Sequence, residues 1–403
     1  MKKEHFLILV LLLCTNMLNL NGFGGMTQKL IYYPFLGYMV YYLFAHHKTA
    51  CKGTFGWILS VMIVFSLFSS IPCYLQYGQP IPQSVKAMIP FTSALVCYWF
   101  MLRYQPTEEQ VVKAFTFMAI AICVILVVQQ LLPGHAIFGL HDSEYVNTEI
   151  EQRNGLYRFR VSFNALFTFP VLFLAWVRVL RGKNTRQMLL LLAMLASIYL
   201  MLTRQIMATT LITLFLGIFL FKLKPNKWVM FAMYVGMIAV LVLNFDAIFG
   251  SLVEQSAKEL DDDNYIRFLS GEYFLNESLK SPMVFFFGHG VPSGGSAYDK
   301  FINDLGEYLG FYSSDVGAIG AAYVFGYIYT AMFYVIVYYV LVRYRKSIPA
   351  YLQMSMLAMT IYSIMIFNIR TSFGAIGWSM LLYLCDLHIN RSPLRMADAR
   401  VPR

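Results

Sequence analysis

From residue 187 to residue 221 the chain is almost unbroken apolar sequence, interrupted at Thr203-Arg204-Gln205. As one helix, at 1.5 Å per residue, it would be over about 50 Å long, whereas roughly 30 Å of hydrocarbon needs about 20 residues. The flanks resolve the excess. Arg178, Arg181, Lys183 and Arg186 precede the run and Lys222, Lys224 and Lys227 follow it, and basic loops gather on the same, cytoplasmic side of a membrane. The chain is therefore expected to cross twice, with Arg204 at an outer turn. The same logic covers 350–387, which lies between Arg343-Tyr344-Arg345-Lys346 and a tail carrying Arg391, Arg395, Arg400 and Arg403. Arg370 then marks a second outer turn.

Extended along the chain, this reading gives an all-α integral membrane protein of about twelve transmembrane helices. They are expected near 5–20, 30–46, 54–73, 85–102, 113–132, 161–178, 187–203, 205–221, 228–249, 316–342, 350–368 and 371–387. Composition agrees: 59% of the residues are hydrophobic and 13% charged, against about a quarter charged in soluble domains. That excludes an ordinary soluble enzyme. The 17% of aromatic residues suits many segments crossing two interfaces, where amphipathic rings settle. The net charge of +10 is scattered in short clusters between apolar runs, not gathered on one face as nucleic-acid binding demands. The six cysteines include no close CxxC pair, so neither a disulfide framework nor a zinc site is expected. Lys2-Lys3 and the apolar stretch after them resemble a signal peptide, but no small-residue cleavage site follows cleanly. A retained first helix is expected.

With both termini cytoplasmic, the inner segments hold 20 of the 31 Lys and Arg residues. The whole chain, 1–403, reads as a single polytopic membrane domain with two long extracytoplasmic loops, 133–160 and 250–315, the larger in the C-terminal half. Inner connections are short, and neither a P-loop nor a GxGxxG fingerprint is present. No nucleotide-driven chemistry and no cofactor are expected; an activated substrate would have to arrive through the membrane. The absence of an evident internal repeat weighs against a transporter.

The outer face carries Arg153, Arg158 and Arg160 before the sixth span, Arg204 and Arg370 in the two turns, and Arg267 in the large loop. Arginine near the bilayer centre costs about 2.5–3.5 kcal/mol on insertion scales. A functional reason to keep several is a polyanion at the outer interface, such as a lipid diphosphate held by planar guanidinium forks. A structural reason is snorkelling to lipid phosphates, or pairing of Arg153 and Arg267 with Glu149, Glu151 or Asp263. The large loop opens with acidic Glu259 to Asp263, more in keeping with a solvated helix entry than a metal site. It continues with helical spacing from Tyr265 to Leu275, a turn-rich piece from Phe287 to Ser296, and Tyr312-Ser-Ser-Asp-Val-Gly-Ala-Ile-Gly320 at the membrane edge. Asp315 reads either as a general base of raised pKa or as part of a helix N-cap. His289 reads either as a base or as a turn residue.

Four pieces resemble the O-antigen polymerases and O-antigen ligases: Tyr157-Arg-Phe-Arg-Val161, Leu202-Thr-Arg-Gln205, Arg267 followed by Phe287-Gly-His-Gly290, and Tyr312 to Gly320. Together they span roughly 155–330. Ligases commonly carry a histidine where Asp315 stands here, which favours a polymerase. The resemblance implies a lipid-phosphosugar-dependent glycosyltransferase of the cytoplasmic (inner) membrane that joins undecaprenyl-diphosphate-linked oligosaccharide repeats into O-antigen or capsule. Arg204, Arg370, Arg160, Arg267 and Arg158 would bind the diphosphate, and Asp315 or His289 would assist the acceptor hydroxyl. Partners implied are the lipid-linked glycans, the bilayer, a chain-length regulator and a flippase; no metal is implied. Tyr265, Tyr273, Tyr308 and Tyr312 are candidates for stacking on sugars. A ligase, a flippase for the same lipid-linked sugars, a membrane acyltransferase and a purely structural assembly partner are the competing readings. The flippase would need ionisable groups along the spans, and the acyltransferase a catalytic signature that is not evident.

Overall fold

The computed structural model describes residues 2–14, 25–46, 53–132, 152–153, 156–157, 164–182, 185–221, 266–367 and 372–391. The expected span 228–249, the acidic stretch 259–263 and Tyr265 lie outside them.

Apart from a two-residue ladder pairing Gln152–Arg153 with Leu156–Tyr157, the described residues form helices joined by turns. In chain order these are α1 (Lys3–Cys14), α2 (Gly25–Ala45), α3 (Gly56–Phe68), α4 (Ser70–Tyr77), α5 (Ile81–Tyr104), α6 (Glu108–Leu131), α7 (Asn164–Arg181), α8 (Thr185–Leu200) and α9 (Arg204–Leu220). Then come α10 (Ile266–Leu279), α11 (Pro282–Phe287), α12 (Ala297–Leu309), α13 (Gly317–Tyr338), a π-helical turn Tyr339–Arg343, α14 (Ala350–Ser363) and α15 (Ser372–Arg391). The local chemistry sets many of these ends. Gly78 (φ +67°) stops α4 and Pro80 precedes α5. At α6, Thr107 Oγ1 accepts from the Gln110 amide while Gln110 Oε1 accepts from the Thr107 amide, a reciprocal capping box.

Among the described residues, three helices are long and apolar enough to cross a membrane: Gly56–Tyr77, Glu108–Leu131 and Gly317–Arg343. The α5 helix, bent by 42° beyond Pro90, passes the same test only when its two halves are taken as one span; proline removes a ladder hydrogen bond and bends its helix. Eleven of the twelve expected apolar segments meet a helix, and in several the described helical stretch is shorter than a full crossing. For example, α1 has 12 residues and α14 has 14, about 18–21 Å at the helical rise. What stands is a helical protein with apolar helices of membrane length. The expected break at Thr203-Arg204-Gln205 falls between α8 and α9, where Leu202 takes a φ of +48°.

Between helices in lipid there is little hydrophobic driving force, so close packing of small residues matters more. A Cβ on Gly377 would come within 2.3 Å of Leu166, and one on Gly217 within 2.5 Å of Met354. These contacts seat α15 on α7 and α9 on α14.

The turns segregate to two ends. At one, Lys3 Nζ donates to the Tyr104 carbonyl (2.6 Å), Tyr383 Oη donates to the Pro106 carbonyl (2.7 Å), and Tyr351 Oη donates to Glu108 (2.9 Å). At the other, the turn after α4 meets the loop that follows α11, Gln79 bonding to Val291, Ser293 and Ser296. Near the first end the buried Asp386 of α15 accepts from the Thr54 amide (3.0 and 3.1 Å) and from the Tyr98 hydroxyl (2.6 Å), and that hydroxyl accepts from the Phe55 amide (3.2 Å). A carboxylate thus holds free amides at the start of α3, where the helix dipole favours negative charge, and ties α15 to α5 and α3.

Candidate functional site

The second end is organised by a broken helix. Inside α13, Gly326 has φ +84° and ψ 163°, a conformation open essentially to glycine alone. The break frees carbonyls upstream of it, and the loop after α11 occupies them. The His289 amide donates to the Tyr323 carbonyl (2.7 Å) and the Gly290 amide to the Val324 carbonyl (2.9 Å). Irregular backbone in a membrane-length helix is tolerable only where protein satisfies it in this way. The fit is tight from both sides. A Cβ on Gly288 (φ +75°) would sit 2.5 Å from the Gly326 amide nitrogen, and one on Gly326 would sit 2.1 Å from the Phe286 carbonyl oxygen.

His289 is the centre of this junction. Its ring stacks on Tyr323 at 4.2 Å, and Nδ1 lies 2.8 Å from the Tyr77 hydroxyl. Tyr77 in turn stacks on Tyr298 at 4.0 Å. One turn away, the buried amide of Gln79 binds the same loop. Its Nε2 donates to Ser84 Oγ (2.8 Å) and the Val291 carbonyl (3.0 Å), while Oε1 accepts from the Ser293 amide (2.9 Å) and Ser296 Oγ (2.7 Å). Both amide groups are fully used, so the loop is latched to the α4–α5 turn. Among the described residues no hydrogen bond of ordinary geometry reaches the buried His289 Nε2, although the Glu277 backbone lies near the ring. Burial holds the ring down to a pKa of about 4; the nearby Glu277 backbone opposes the shift in part and Lys280 adds to it. The imidazole is neutral at physiological pH.

Because the folded pKa lies below the ordinary 6.5, the unfolded chain takes up the proton first as pH falls. Stability is therefore full above pH 6.5 and is lost on descending toward pH 4, by about 3 kcal/mol over that window. The wild-type thermal midpoint should fall between pH 7 and pH 4.5, with a shallower fall in His289→Ala. Equal slopes would contradict the buried, neutral histidine.

Of the expected site residues, Asp315, Arg267 and His289 are described in full. Arg158, Arg160 and Arg370 lie outside the described residues, and Arg204 is described only as the first residue of α9. Asp315 is exposed in the turn before α13, not half-buried. It does not cap that helix either: the N-cap is Val316, without a side-chain bond, and Ser314 Oγ donates to Asp315 Oδ1 (3.1 Å). The turn Tyr312–Val316 is closed by the bond from the Asp315 amide to the Tyr312 carbonyl, which leaves the carboxylate at the surface. Arg267 is exposed near the start of α10. One turn on, Gly271 of α10 faces Val316, and Gly317 is set against the Ser363 and Ile364 carbonyls at the end of α14. The Asp315 turn thus lies between α10 and the segment leading to Arg370. Tyr308 (80% exposed) and Tyr312 (48% exposed) border it, with the Tyr312 ring against Gly306. Tyr273 is half-buried against Phe311.

Tyr77, Gln79, Tyr323 and Gly326 were missed by sequence reasoning. Gly326 is a single glycine in an apolar run, and nothing nearby in sequence signals that a loop almost forty residues upstream completes its backbone. Tyr77-Gly78-Gln79 carried one signal, a turn glycine between polar residues at the end of a span. No protein-family model matches the chain, and no curated protein matches its sequence.

Proposed function

We propose that this protein polymerises undecaprenyl-diphosphate-linked oligosaccharide repeats into a surface polysaccharide at the outer face of the cytoplasmic membrane, crossing that membrane about twelve times with both termini inside. The observation that carries the reading is the folding of the large loop. Its helices α10, α11 and α12 pack at one end of the bundle beside an apolar, membrane-length helix, bringing exposed Arg267, exposed Asp315 and two exposed tyrosines to the same rim. Among the described residues, the turn contacts support the proposed sidedness, because they join turns read from charge as inner to one another (Lys3, Tyr104, Pro106, Glu108) and turns read as outer to one another (Gln79 with Val291 and Ser293).

In this mechanism the acceptor hydroxyl oxygen attacks the anomeric carbon of the growing chain. The bond from that carbon to the lipid diphosphate breaks, the new glycosidic bond forms, and the hydroxyl proton passes to the Asp315 carboxylate. Asp315 suits the task better than His289, whose Nε2 is buried and whose Nδ1 is engaged by Tyr77. His289 is a positioning residue that locks the loop into α13. Negative charge grows on the departing diphosphate, and fixed guanidinium groups stabilise it without reorganisation; Arg267, Arg204, Arg370, Arg160 and Arg158 are the donors in this reading. Tyr308 and Tyr312 present ring faces to the glycan.

The test is the size distribution of surface glycan and lipid-linked intermediates in a deletion strain complemented with wild type, Arg267→Ala or Arg204→Ala. Wild type restores long chains. Each variant, at equal protein in the membrane, leaves single repeats on the carrier, with polymerisation slowed about a hundredfold. Full-length chains stranded on the carrier lipid would make the protein a ligase. A ladder unchanged by the deletion would end the polysaccharide reading.

A further inference from the structure

The opposite end of the molecule holds a cleft of about 810 Å³ between the start of α6, the ends of α7 and α15 and the start of α8, lined in part by Glu108, Glu109, Lys113, Arg178 and Arg391. Its size is that of a small-molecule site. The carboxylates in it are already engaged. Glu108 accepts from Tyr351 Oη (2.9 Å) and lies 3.1 Å from His388 Nε2. Glu109 lies 3.2 Å from Lys113, which also reaches Glu4 at 3.5 Å. Arg178 and Arg391 have no carboxylate within ion-pair distance among the described residues. The lining thus sets Arg178, Arg391 and Lys113 against Glu108 and Glu109, and the two guanidinium forks with no carboxylate partner among the described residues suit phosphate oxygens. The two helices that line the cleft, α6 and α8, also expose apolar side chains: Leu189 and Leu192 of α8 are 63% and 55% exposed, and Ile120 and Val124 of α6 are 44% and 54% exposed.

We propose that this cleft binds the phosphate of an anionic membrane phospholipid, with Arg178 and Arg391 gripping the headgroup and the acyl chains lying along the exposed flanks of α6 and α8. The apolar flank is what selects a lipid over a free phosphate ester, since a soluble ligand has no use for it. The proposal rests on membrane insertion, not on the polymerase reading, and its readout is independent of glycan synthesis.

The full-length protein, purified in a neutral detergent, is titrated with phosphatidylglycerol or with phosphatidylcholine of the same chains, and bound lipid is counted by native mass spectrometry. Wild type is expected to retain phosphatidylglycerol about tenfold more tightly than phosphatidylcholine. In Arg178→Gln/Arg391→Gln the preference falls to within about twofold, while Arg343→Gln/Arg345→Gln, which removes two arginines that do not line the cleft, keeps it. Arg178 and Arg391 are both exposed, so the core is untouched, and the single variant Arg391→Gln provides a milder probe expected to lose about threefold. No preference in wild type, a preference that survives the cleft double variant, or an equal loss in the control pair would each overturn the site. Displacement of the lipid by sn-glycerol 3-phosphate at equal concentration would overturn the lipid as its occupant.

Discussion

Alanine at position 326 is expected to destabilise the protein by at least about 3 kcal/mol, because two separate penalties fall on one methyl group. The backbone at φ +84° and ψ 163° is strained for any L side chain, and the added Cβ would lie 2.1 Å from the Phe286 carbonyl oxygen. Relief requires either that α13 straighten or that α11 and its loop withdraw, and each abandons the bonds from the His289 and Gly290 amides to the Tyr323 and Val324 carbonyls. The variant should melt well below wild type in detergent and elute broadly on size exclusion. Gly294→Ala is the control, since a Cβ there meets nothing within 4 Å, and should behave as wild type. If Gly326→Ala melts with the control, the docked loop is not what completes the broken helix.

The second large effect is expected at Asp386. Substitution by alanine leaves the Thr54 amide and the Tyr98 hydroxyl without their buried acceptor, and loosens the Phe55 amide that depends on that hydroxyl. Each buried donor left unsatisfied costs about 1–3 kcal/mol, so the loss is on the order of 2–5 kcal/mol. Tyr98→Phe deletes a smaller part of it, about 1–3 kcal/mol. Thermal unfolding of the two single variants and the double variant forms a cycle. The double should be less destabilised than the sum, because both act on the same amides; strict additivity would mean the two residues hold α3 independently.

Both effects fall on residues that a reading along the chain passes over, whereas the exposed residues proposed to carry the chemistry contribute little stability. Arg267 and Asp315 are exposed, so their substitution should leave the melting temperature nearly unchanged. Gly326 and Asp386 are invisible as a pair of determinants because their partners are remote in sequence: Phe286 to Gly290 for one, Thr54 and Tyr98 for the other.

What the sequence determined by itself was the helical class and its apolar rhythm. Apolar runs of about twenty residues, with basic residues clustered at alternate junctions, are sufficient to demand helices, because an unpaired backbone in hydrocarbon is too costly. The break at Thr203-Arg204-Gln205, the helix following Tyr265 and the turn-rich segment around Phe287-Gly-His-Gly290 followed from local patterns and are present. Tertiary structure alone decided where those pieces meet. It made His289 an interior latch and left Asp315 exposed, because burial depends on which helix packs over a turn, and the residues of the turn do not contain that information. It also opened the helix of Gly326, since a backbone break is stable only when another segment supplies the missing hydrogen bonds, and that segment is chosen by the fold.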